Sequence, residues 1–218
     1  LIMFILVGFT IQLGKAQTPF SGGSGSSSDP FIIANKADLD ALADSVNKGI
    51  IFYQTSHYIL NTDIINVPFI SVIGTHDHPF KGNFNGKNKT ILVDINLISK
   101  DTVGLFGFLD NASISNLSIR GTIKGNNYVG GICGIINTQV IIDNCSNYTT
   151  ILGNNYVGGI CGYNYKGTIK NCINDSNIFG DNYIGGICGY HISSGSISDC
   201  INKDIVSGED YVGGICGF

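Results

Sequence analysis

The ten residues GNNYVGGICG at 125–134 return three more times in this chain with little change. The later copies are GNNYVGGICG at 153–162, GDNYIGGICG at 180–189 and GEDYVGGICG at 208–217. Their cysteines, Cys133, Cys161, Cys188 and Cys216, follow one another at steps of 28, 27 and 28 residues. A period this regular is typical of stacked supersecondary units, each of which buries its inner face only against its neighbours.

A second series of cysteines keeps the same period. Cys145, Cys172 and Cys200 lie in the segments IIDNCSN, TIKNCIN and SISDCIN. An earlier, degenerate copy of the unit carries Phe106 and Leu117 where the later copies carry cysteine. The repeats therefore occupy about residues 101–218, and we expect them to be truncated at the C-terminus of this chain.

The content of each unit predicts strands. It offers short β-branched runs separated by Gly and Asn and contains no helical stretch. When a chain coils back on itself, each strand bonds to its equivalent one coil away, at about 4.8 Å. We therefore predict an all-β protein, a right-handed parallel β-helix (β-solenoid) with coils of 27–28 residues.

Three local patterns refine this prediction. The glycine pair Gly130-Gly131 predicts either positive φ or a close backbone approach. The pair Asn126-Asn127 predicts left-handed turn positions or ladders of stacked amides. Ile142 and Cys145 lie three residues apart, so a bend or bulge must separate them if both point inward.

The chain before the helix predicts a leader and a linker. The apolar run that opens the sequence predicts a signal peptide over residues 1–16, itself truncated at its N-terminus, with a clipped membrane anchor as the alternative. Residues 17–30 are rich in Gly and Ser, which is typical of a flexible linker.

Residues 31–100 predict an N-terminal cap helix and irregular first coils. Asn35 is a suitable N-cap, apolar residues follow at helical spacing from Leu39 to Val46, and Gly49 is a suitable C-terminal stop. The later runs of this segment, beginning with IFYQ at 51–54, are typical of strands.

Composition and motifs exclude several function classes. The net charge of −4 is spread along the chain without a basic patch, so no nucleic-acid partner is expected. No nucleophile elbow, metal-binding His-Glu helix or P-loop is present, so we predict no enzyme and no cofactor. His76, Asp77 and His78 form a pattern that could bind zinc, but a polar loop without metal is preferred because no third clustered ligand is visible.

The segment VGGICGYNYKGTIKNCIN at 157–174 resembles the GLUG-motif repeats of bacterial and some protist surface proteins. The blocks DPFIIANKADLDALADSVNKG, YILNTDI, FISVIG, PFKGNFNGKNKTI and VGLFGFL are similar to the segment that often precedes such repeats, so the resemblance covers residues 29–218. It implies surface display or secretion, a β-helical stalk and adhesive roles. The sequence departs from the family pattern at the cysteine of GGICG, where another apolar residue is usual.

Seven cysteines in a chain expected to be secreted indicate disulfides. The degenerate copy lacks both cysteines, which suggests that the two series touch in the core. This predicts bonds within coils, with Cys216 left unpaired: Cys133–Cys145, Cys161–Cys172 and Cys188–Cys200. Two alternatives stay open, namely bonds between neighbouring coils and free buried thiols that pack as small hydrophobes.

Two further residue sets are candidate sites. The tyrosines of the repeated phrase predict a stripe that either binds sugar rings or a partner surface, or packs on its own members: Tyr128, Tyr156, Tyr183 and Tyr211. The sequons predict glycosylation at Asn88, Asn111, Asn116, Asn147 and Asn174, with Asn144 a weak acceptor because a cysteine follows it.

These observations predict a secreted or cell-surface structural or adhesive repeat protein. Its rigid solenoid would present a binding face to glycans or surface proteins of a host or matrix, and it would meet a membrane only through an anchor outside this fragment. The alternative is a non-catalytic repeat region of a larger extracellular enzyme, such as a peptidase or a glycan-active protein. A glycan-active β-helix enzyme is a third interpretation, against which the scattered aspartates argue.

Overall fold

The computed structural model describes residues 18–192 and 194–218. The predicted signal peptide at residues 1–16 lies outside the described residues. Within them, none of the helices has the length and hydropathy needed to span a membrane.

The elements fall into two groups, before and after the start of the first GNNYVGGICG phrase at residue 125. The first contains β1 (Phe31–Ile33), α1 (Lys36–Asn47), α2 (Ile51–Thr55), β2 (His57–Leu60), β3 (Ile64–Phe69), β4 (Asn83–Asn96), β5 (Phe106–Leu109) and β6 (Ser113–Lys124). The second contains β7 (Asn127–Gly130), β8 (Cys133–Asp143), β9 (Ser146–Leu152), β10 (Asn155–Gly158), β11 (Cys161–Lys170), β12 (Ile173–Asn174), β13 (Ile178–Phe179), β14 (Asn182–Gly185), β15 (Cys188–His191), β16 (Ser196–Ser198), β17 (Ile201–Asn202), β18 (Val206–Ser207) and β19 (Asp210–Gly213).

The strands form two parallel sheets. The larger follows the order β1-β2-β4-β6-β8-β11-β15, and the smaller follows β7-β10-β14-β19. Equivalent residues lie beside each other, so that Val129 pairs with Val157 and Val157 pairs with Ile184. The predicted parallel β-solenoid is therefore confirmed, with about six turns of about 28 residues each.

Apolar residues of successive coils stack inside the solenoid. The repeated phrase contributes two rows of fully buried β-branched side chains: Val129, Val157 and Ile184, and Ile132, Ile160 and Ile187. Branched side chains suit this position because their stiff χ1 fits a pleated, packed surface. One coil alone could not bury these rows, which is why the units depend on one another.

Helix α1 is confirmed. The Asn35 side chain accepts a hydrogen bond of 3.0 Å from the Asp38 amide, and Gly49 follows the helix with φ of 75°. The apolar face from Leu39 to Val46 is buried and packs towards β1 and β3. Strand β1 stands at the edge of the larger sheet, with β2 as its neighbour. Because helix α1 packs against β1, it covers the edge at which strand pairing stops.

Residues 51–55 form helix α2, so the prediction of a strand there was wrong. The short turn directs the Tyr53 ring inward, where it lies 5.6 Å from the ring of Phe20 and 5.7 Å from that of Phe31. Ile51 and Phe52 point outward and are exposed. Aromatic packing at the end of the solenoid therefore overrides the β propensity of the sequence.

The stretch predicted as a flexible linker is also packed in its described part, residues 18–30. Phe20 is buried, with its ring 4.6 Å from that of Phe31. The Ile32 amide donates to the Gly22 carbonyl at 2.8 Å, and the His57 amide donates to the Gly25 carbonyl at 2.9 Å. Glycine and serine serve here to fit the backbone against the cap, so composition alone gave the wrong prediction.

The glycine pairs serve close approach rather than positive φ. A Cβ on Gly159 would stand 2.1 Å from the Gly186 carbonyl oxygen and 2.6 Å from Cγ of Asn174. The left-handed conformation lies elsewhere in the unit, for example at Tyr156 with φ of 57° and not at the asparagine pair. The predicted bend between Ile142 and Cys145 is Asn144, with φ of 54°.

We expect Gly159→Ala to lower the free energy of unfolding by about 1–3 kcal/mol, because the added methyl group meets the backbone of the next coil. A Cβ placed on the equivalent Gly214 would have no other atom within 4 Å, because no described coil covers this residue. Gly214→Ala should therefore stay within about 0.5 kcal/mol of the unchanged protein. Urea unfolding followed by circular dichroism measures both; equal losses in the two variants would contradict the close approach.

Candidate functional site

The predicted tyrosine stripe exists as a stacked row, the first aromatic row. Ring centroids of Tyr128 and Tyr156 lie 4.8 Å apart, those of Tyr156 and Tyr183 5.0 Å, and those of Tyr183 and Tyr211 4.6 Å. Neighbouring rings are tilted by only 5–7°. All four tyrosines have positive φ, between 53° and 59°. This conformation is uncommon for a bulky residue, and the repeat enforces it at the same position in every copy.

A second aromatic row lies beside the first and was not predicted. Tyr163 stacks on Tyr190 at 5.5 Å, and Tyr190 stacks on Phe218 at 4.9 Å. Strand register extends this position back through Ile135 to Phe108. The sequence signal for this row was the apolar or aromatic residue two positions after each cysteine of the repeated phrase. Ile135 interrupts the aromatic pattern at this position.

The two rows meet edge to face. The Tyr128 and Tyr163 rings are 5.8 Å apart at 89°, and the Tyr183 and Tyr190 rings are 5.2 Å apart at 77°. Such T-shaped contacts are a preferred arrangement of aromatic pairs. Since stacking occupies the ring faces within each row, the rows present ring edges and phenolic hydroxyls to a ligand.

An open groove of about 460 Å³ runs beside these rows, and we call it the aromatic groove. Its lining joins both rows to Asn137 of β8, Tyr165 of β11 and His76 of the loop before β4. Tyr165 belongs to neither row and is 37% exposed, so its ring remains available apart from the Lys166 ammonium, which lies 4.8 Å from its centroid.

The partly buried tyrosines of the groove carry neutral phenols. Burial, followed by the nearby phenols of Tyr128 and Tyr190, raises the pKa of Tyr156 above its ordinary value. Burial and the nearby Tyr190 likewise raise the pKa of Tyr163. The hydroxyls therefore stay protonated at neutral pH and can both donate and accept hydrogen bonds.

The loop with the histidine pattern is exposed. His76 Nδ1 lies 3.2 Å from the Asp77 carboxylate, and both side chains are more than 80% exposed. Among the described residues, no group of three or more His, Cys, Asp or Glu side chains is placed to hold a metal ion. The His76 ring instead packs edge-on against Phe108 at 5.3 Å, at the border of the aromatic groove.

Comparison with known proteins identifies the repeat. Residues 153–178 match the family model described as the GLUG motif. This segment is a GLUG motif. The match confirms the resemblance over these residues, which contain Tyr156, Tyr163 and Tyr165 of the aromatic groove together with Cys161 and Cys172.

Two curated proteins are similar to this chain in sequence. A protein of Evansella cellulosilytica, provisionally named as a Gly-rich membrane protein, is 30% identical over 66% of this chain, and Halomucin of Haloquadratum walsbyi is 28% identical over 63%. The aligned parts make up 18% and 2% of these relatives' own lengths. This chain therefore corresponds to a small part of each relative.

A solved structure shares the fold. A Bacteroides ovatus protein provisionally named as an immunoglobulin A1 protease matches with a TM-score of 0.58 at 20% identity. The match covers 90% of this chain and 73% of the other. At this identity the likeness concerns the fold alone.

The cysteines of the GLUG motif contact their equivalents in neighbouring coils. All seven cysteines are free in the structure. Strand register places Cys161 beside Cys133 and Cys188, and backbone hydrogen bonds between coils place Cys172 beside Cys145 and Cys200. The thiols of Cys161 and Cys172 donate to backbone carbonyls, those of Tyr163 and Lys170, at 3.3 and 3.1 Å. Cysteines thus neighbour one another along each series, between coils, and the predicted within-coil pairs are not bonded. Strand register brings equivalent residues together, which the sequence separations of 11 and 12 residues could not reveal.

The structure separates the predicted glycosylation sites by exposure. Asn147 and Asn174 are fully buried, so the prediction that they carry glycans was wrong for the folded chain. Asn147 Nδ2 donates to Asn174 Oδ1 at 2.7 Å, and Asn174 Nδ2 donates to Asn202 Oδ1 at 2.7 Å, which forms an amide ladder inside the solenoid. The remaining candidates, Asn88, Asn111 and Asn116, are exposed or partly exposed, as is the weak acceptor Asn144.

Two further amide ladders, one through Asn126 and one through Asn127, lie nearer the surface and confirm one of the two predictions for the asparagine pairs. Asn154 Nδ2 donates to Asn126 Oδ1 at 2.7 Å, and Asn155 Nδ2 donates to Asn127 Oδ1 at 2.8 Å. The inner ladder and the Asn126–Asn154 ladder have the same bond length of 2.7 Å and differ in burial, which makes their members matched probes.

We expect Asn174→Ala in the GLUG motif to lower the free energy of unfolding by about 2–4 kcal/mol, because buried amide partners lose their hydrogen bonds. Asn154→Ala removes an equivalent bond from the exposed ladder and should cost less than about 1 kcal/mol. Urea unfolding measures both losses. Equal losses in the two variants would contradict the larger contribution of the inner ladder to stability.

A pH dependence follows from the second thiol series. The neighbouring Cys145 thiol, with burial adding to its effect, raises the pKa of Cys172 to about 12 from an ordinary 9.0. The unfolded chain therefore ionises this thiol before the folded one does. The stabilisation is complete below pH 9 and is lost as pH rises towards 12.

For the reduced protein, unfolding free energy should decline from pH 8 to pH 10, with Cys172 contributing about 1 kcal/mol of that decline. Cys172→Ala should show a shallower decline over the same interval. Urea titrations at both pH values under a reducing agent measure the difference; parallel slopes in the two proteins would argue against the raised pKa.

Proposed function

We propose that this chain is a rigid repeat segment of a secreted or cell-surface protein and that the aromatic groove is its binding face. The names of the two relatives, a Gly-rich membrane protein and Halomucin, support placement at the cell surface. The solenoid supports a structural or adhesive role, since each coil is held by backbone hydrogen bonds to the next. The segment itself is proposed to be non-catalytic.

The observation that carries the proposal is the aromatic groove. Hydroxyls and an amide, including those of Tyr156, Tyr163 and Asn137, line it together with the accessible ring of Tyr165. Neutral sugars have an apolar C–H face and a rim of hydroxyls, so a groove that combines aromatic and neutral polar groups suits them. We therefore propose neutral glycans as the ligand class.

The stacked rows favour binding by pre-organisation. The rings of Tyr156 and Tyr190 are each fixed by neighbours on both faces and at their edges. Little side-chain freedom remains to be lost when a ligand enters, which lowers the entropic cost of association. A surface of mobile side chains would lack this advantage.

The alternative is a non-catalytic segment of a larger extracellular enzyme, such as a peptidase or a glycan-active protein. The small share of the relatives' lengths that aligns with this chain supports a role as one part of a long protein. In that setting the same groove would hold a glycan near a catalytic unit supplied elsewhere.

We expect Tyr165→Ala to weaken binding of a neutral polysaccharide about fivefold to tenfold, since one aromatic contact contributes about 1–1.5 kcal/mol. Tyr148→Ala is the matched control, because Tyr148 is 46% exposed and lies outside the groove. Isothermal titration calorimetry against a panel of neutral and acidic polysaccharides measures the effect.

Two results would overturn the proposal. The first is that the unchanged chain binds no neutral polysaccharide in the panel. The second is that both tyrosine variants bind as the unchanged chain does, which would place the binding face elsewhere. A preference for acidic polysaccharides would reject the neutral ligand class while leaving the groove as the site.

A further inference from the structure

Two rows of thiols run through the solenoid along its axis. In the first row, strand pairing places Cys133 beside Cys161, Cys161 beside Cys188, and Cys188 beside Cys216. In the second row, the Ile173 amide donates to the Cys145 carbonyl and the Ile201 amide donates to the Cys172 carbonyl, both at 2.9 Å. Cysteines of neighbouring coils therefore lie in register in both rows.

In-register parallel strands stand at a spacing that permits a disulfide. Neighbouring strands are about 4.8 Å apart, and disulfide-linked cysteines have Cα atoms about 4.4–6.8 Å apart. Cys188 and Cys216 are paired directly in the backbone, and the bond from the Ile201 amide to the Cys172 carbonyl sets Cys200 beside Cys172. The backbone spacing of these pairs is therefore compatible with a bond between coils.

We propose that Cys133–Cys161, Cys172–Cys200 and Cys188–Cys216 form disulfides between coils and that Cys145 stays reduced. Numbering the coils by the first cysteine row, these bonds join the first coil to the second, the second to the third, and the third to the fourth. Every interface between the cysteine-bearing coils then carries one covalent link.

The choice of partners follows from the two rows. Four in-row cysteines can form two bonds only as Cys133–Cys161 and Cys188–Cys216. The described part of the second row has three cysteines, of which two can pair with each other, and Cys172 lies between Cys145 and Cys200. Pairing with Cys145 would place two links on the first interface and none on the second.

Exposure points to the same choice. Cys200 and Cys216 are partly exposed, whereas Cys145 is fully buried. The repeat position one coil before Cys145 holds Leu117, which is buried and offers no thiol. Cys145 therefore lies between an apolar neighbour and a cysteine that is linked on its other side.

The oxidant is proposed to be a small-molecule disulfide such as oxidised glutathione. A thiolate of Cys216 or Cys200 attacks it, which forms a mixed disulfide and releases one reduced glutathione. The neighbouring cysteine then displaces the second glutathione, and the two thiol protons leave with the two thiolate products. Cys133 and Cys161 are both buried, so their bond forms before these coils close on one another.

Disulfide mapping of the chain refolded with reduced and oxidised glutathione tests the pairing. Aspartate or tyrosine residues lie between every two successive cysteines, so digestion at these residues separates all seven for mass spectrometry. We expect peptides linked as Cys133–Cys161, Cys172–Cys200 and Cys188–Cys216, and one alkylated thiol at Cys145. The variant Cys145→Ser should retain all three links, and Cys200→Ser should retain the other two.

A second measurement uses the folded, reduced protein. Adding oxidised glutathione should link Cys188–Cys216 and Cys172–Cys200 first, because each pair has a partly exposed member. Within-coil peptides such as Cys133–Cys145, or seven free thiols after both treatments, would overturn the proposal. Loss of any link in Cys145→Ser would overturn the assignment of Cys145 as the reduced residue.

Discussion

Parallel backbone hydrogen bonding between equivalent residues of successive coils is the constraint on which this structure depends. Because the period is held at 27 or 28 residues, each side chain in the repeats lies beside its own counterpart. In a globular core, different residues pack against one another. In this interior, each residue packs against the equivalent residue of the next coil. Each position in the repeat is therefore selected for how well it stacks on itself.

Three kinds of side chain solve this problem in three ways. Asparagine stacks because its amide both donates and accepts, so Asn147, Asn174 and Asn202 form a continuous ladder inside the solenoid. Tyrosine stacks through its ring faces and fixes a rigid surface. Cysteine stacks as a small apolar group beside the equivalent cysteine of the next coil. Self-compatibility thus explains why a polar, an aromatic and a sulfur residue recur with equal regularity.

The same constraint gives the aromatic groove its character. Two adjacent rows of rings, at the first and second aromatic positions of the unit, lock each other edge to face. A rod built in this way presents its binding groups at fixed spacing, without a flexible loop to order. Tyr165 stands outside both rows, so it can contact a ligand without disturbing the stack.

The sequence by itself determined the period, the parallel solenoid, the capping helix and the tyrosine row, because each follows from spacing along one chain. Tertiary structure alone decided which face a residue occupies. The sequons at Asn147 and Asn174 match a surface signal yet lie inside, since the bends at Asn144 and Asn171 set their orientation. The register between neighbouring coils also placed equivalent cysteines side by side, and this register is set by the path of the chain around each coil. Packing onto Phe20 and Phe31 decided the order of the Gly/Ser stretch and the short helix after Gly49, which local propensity could not foresee.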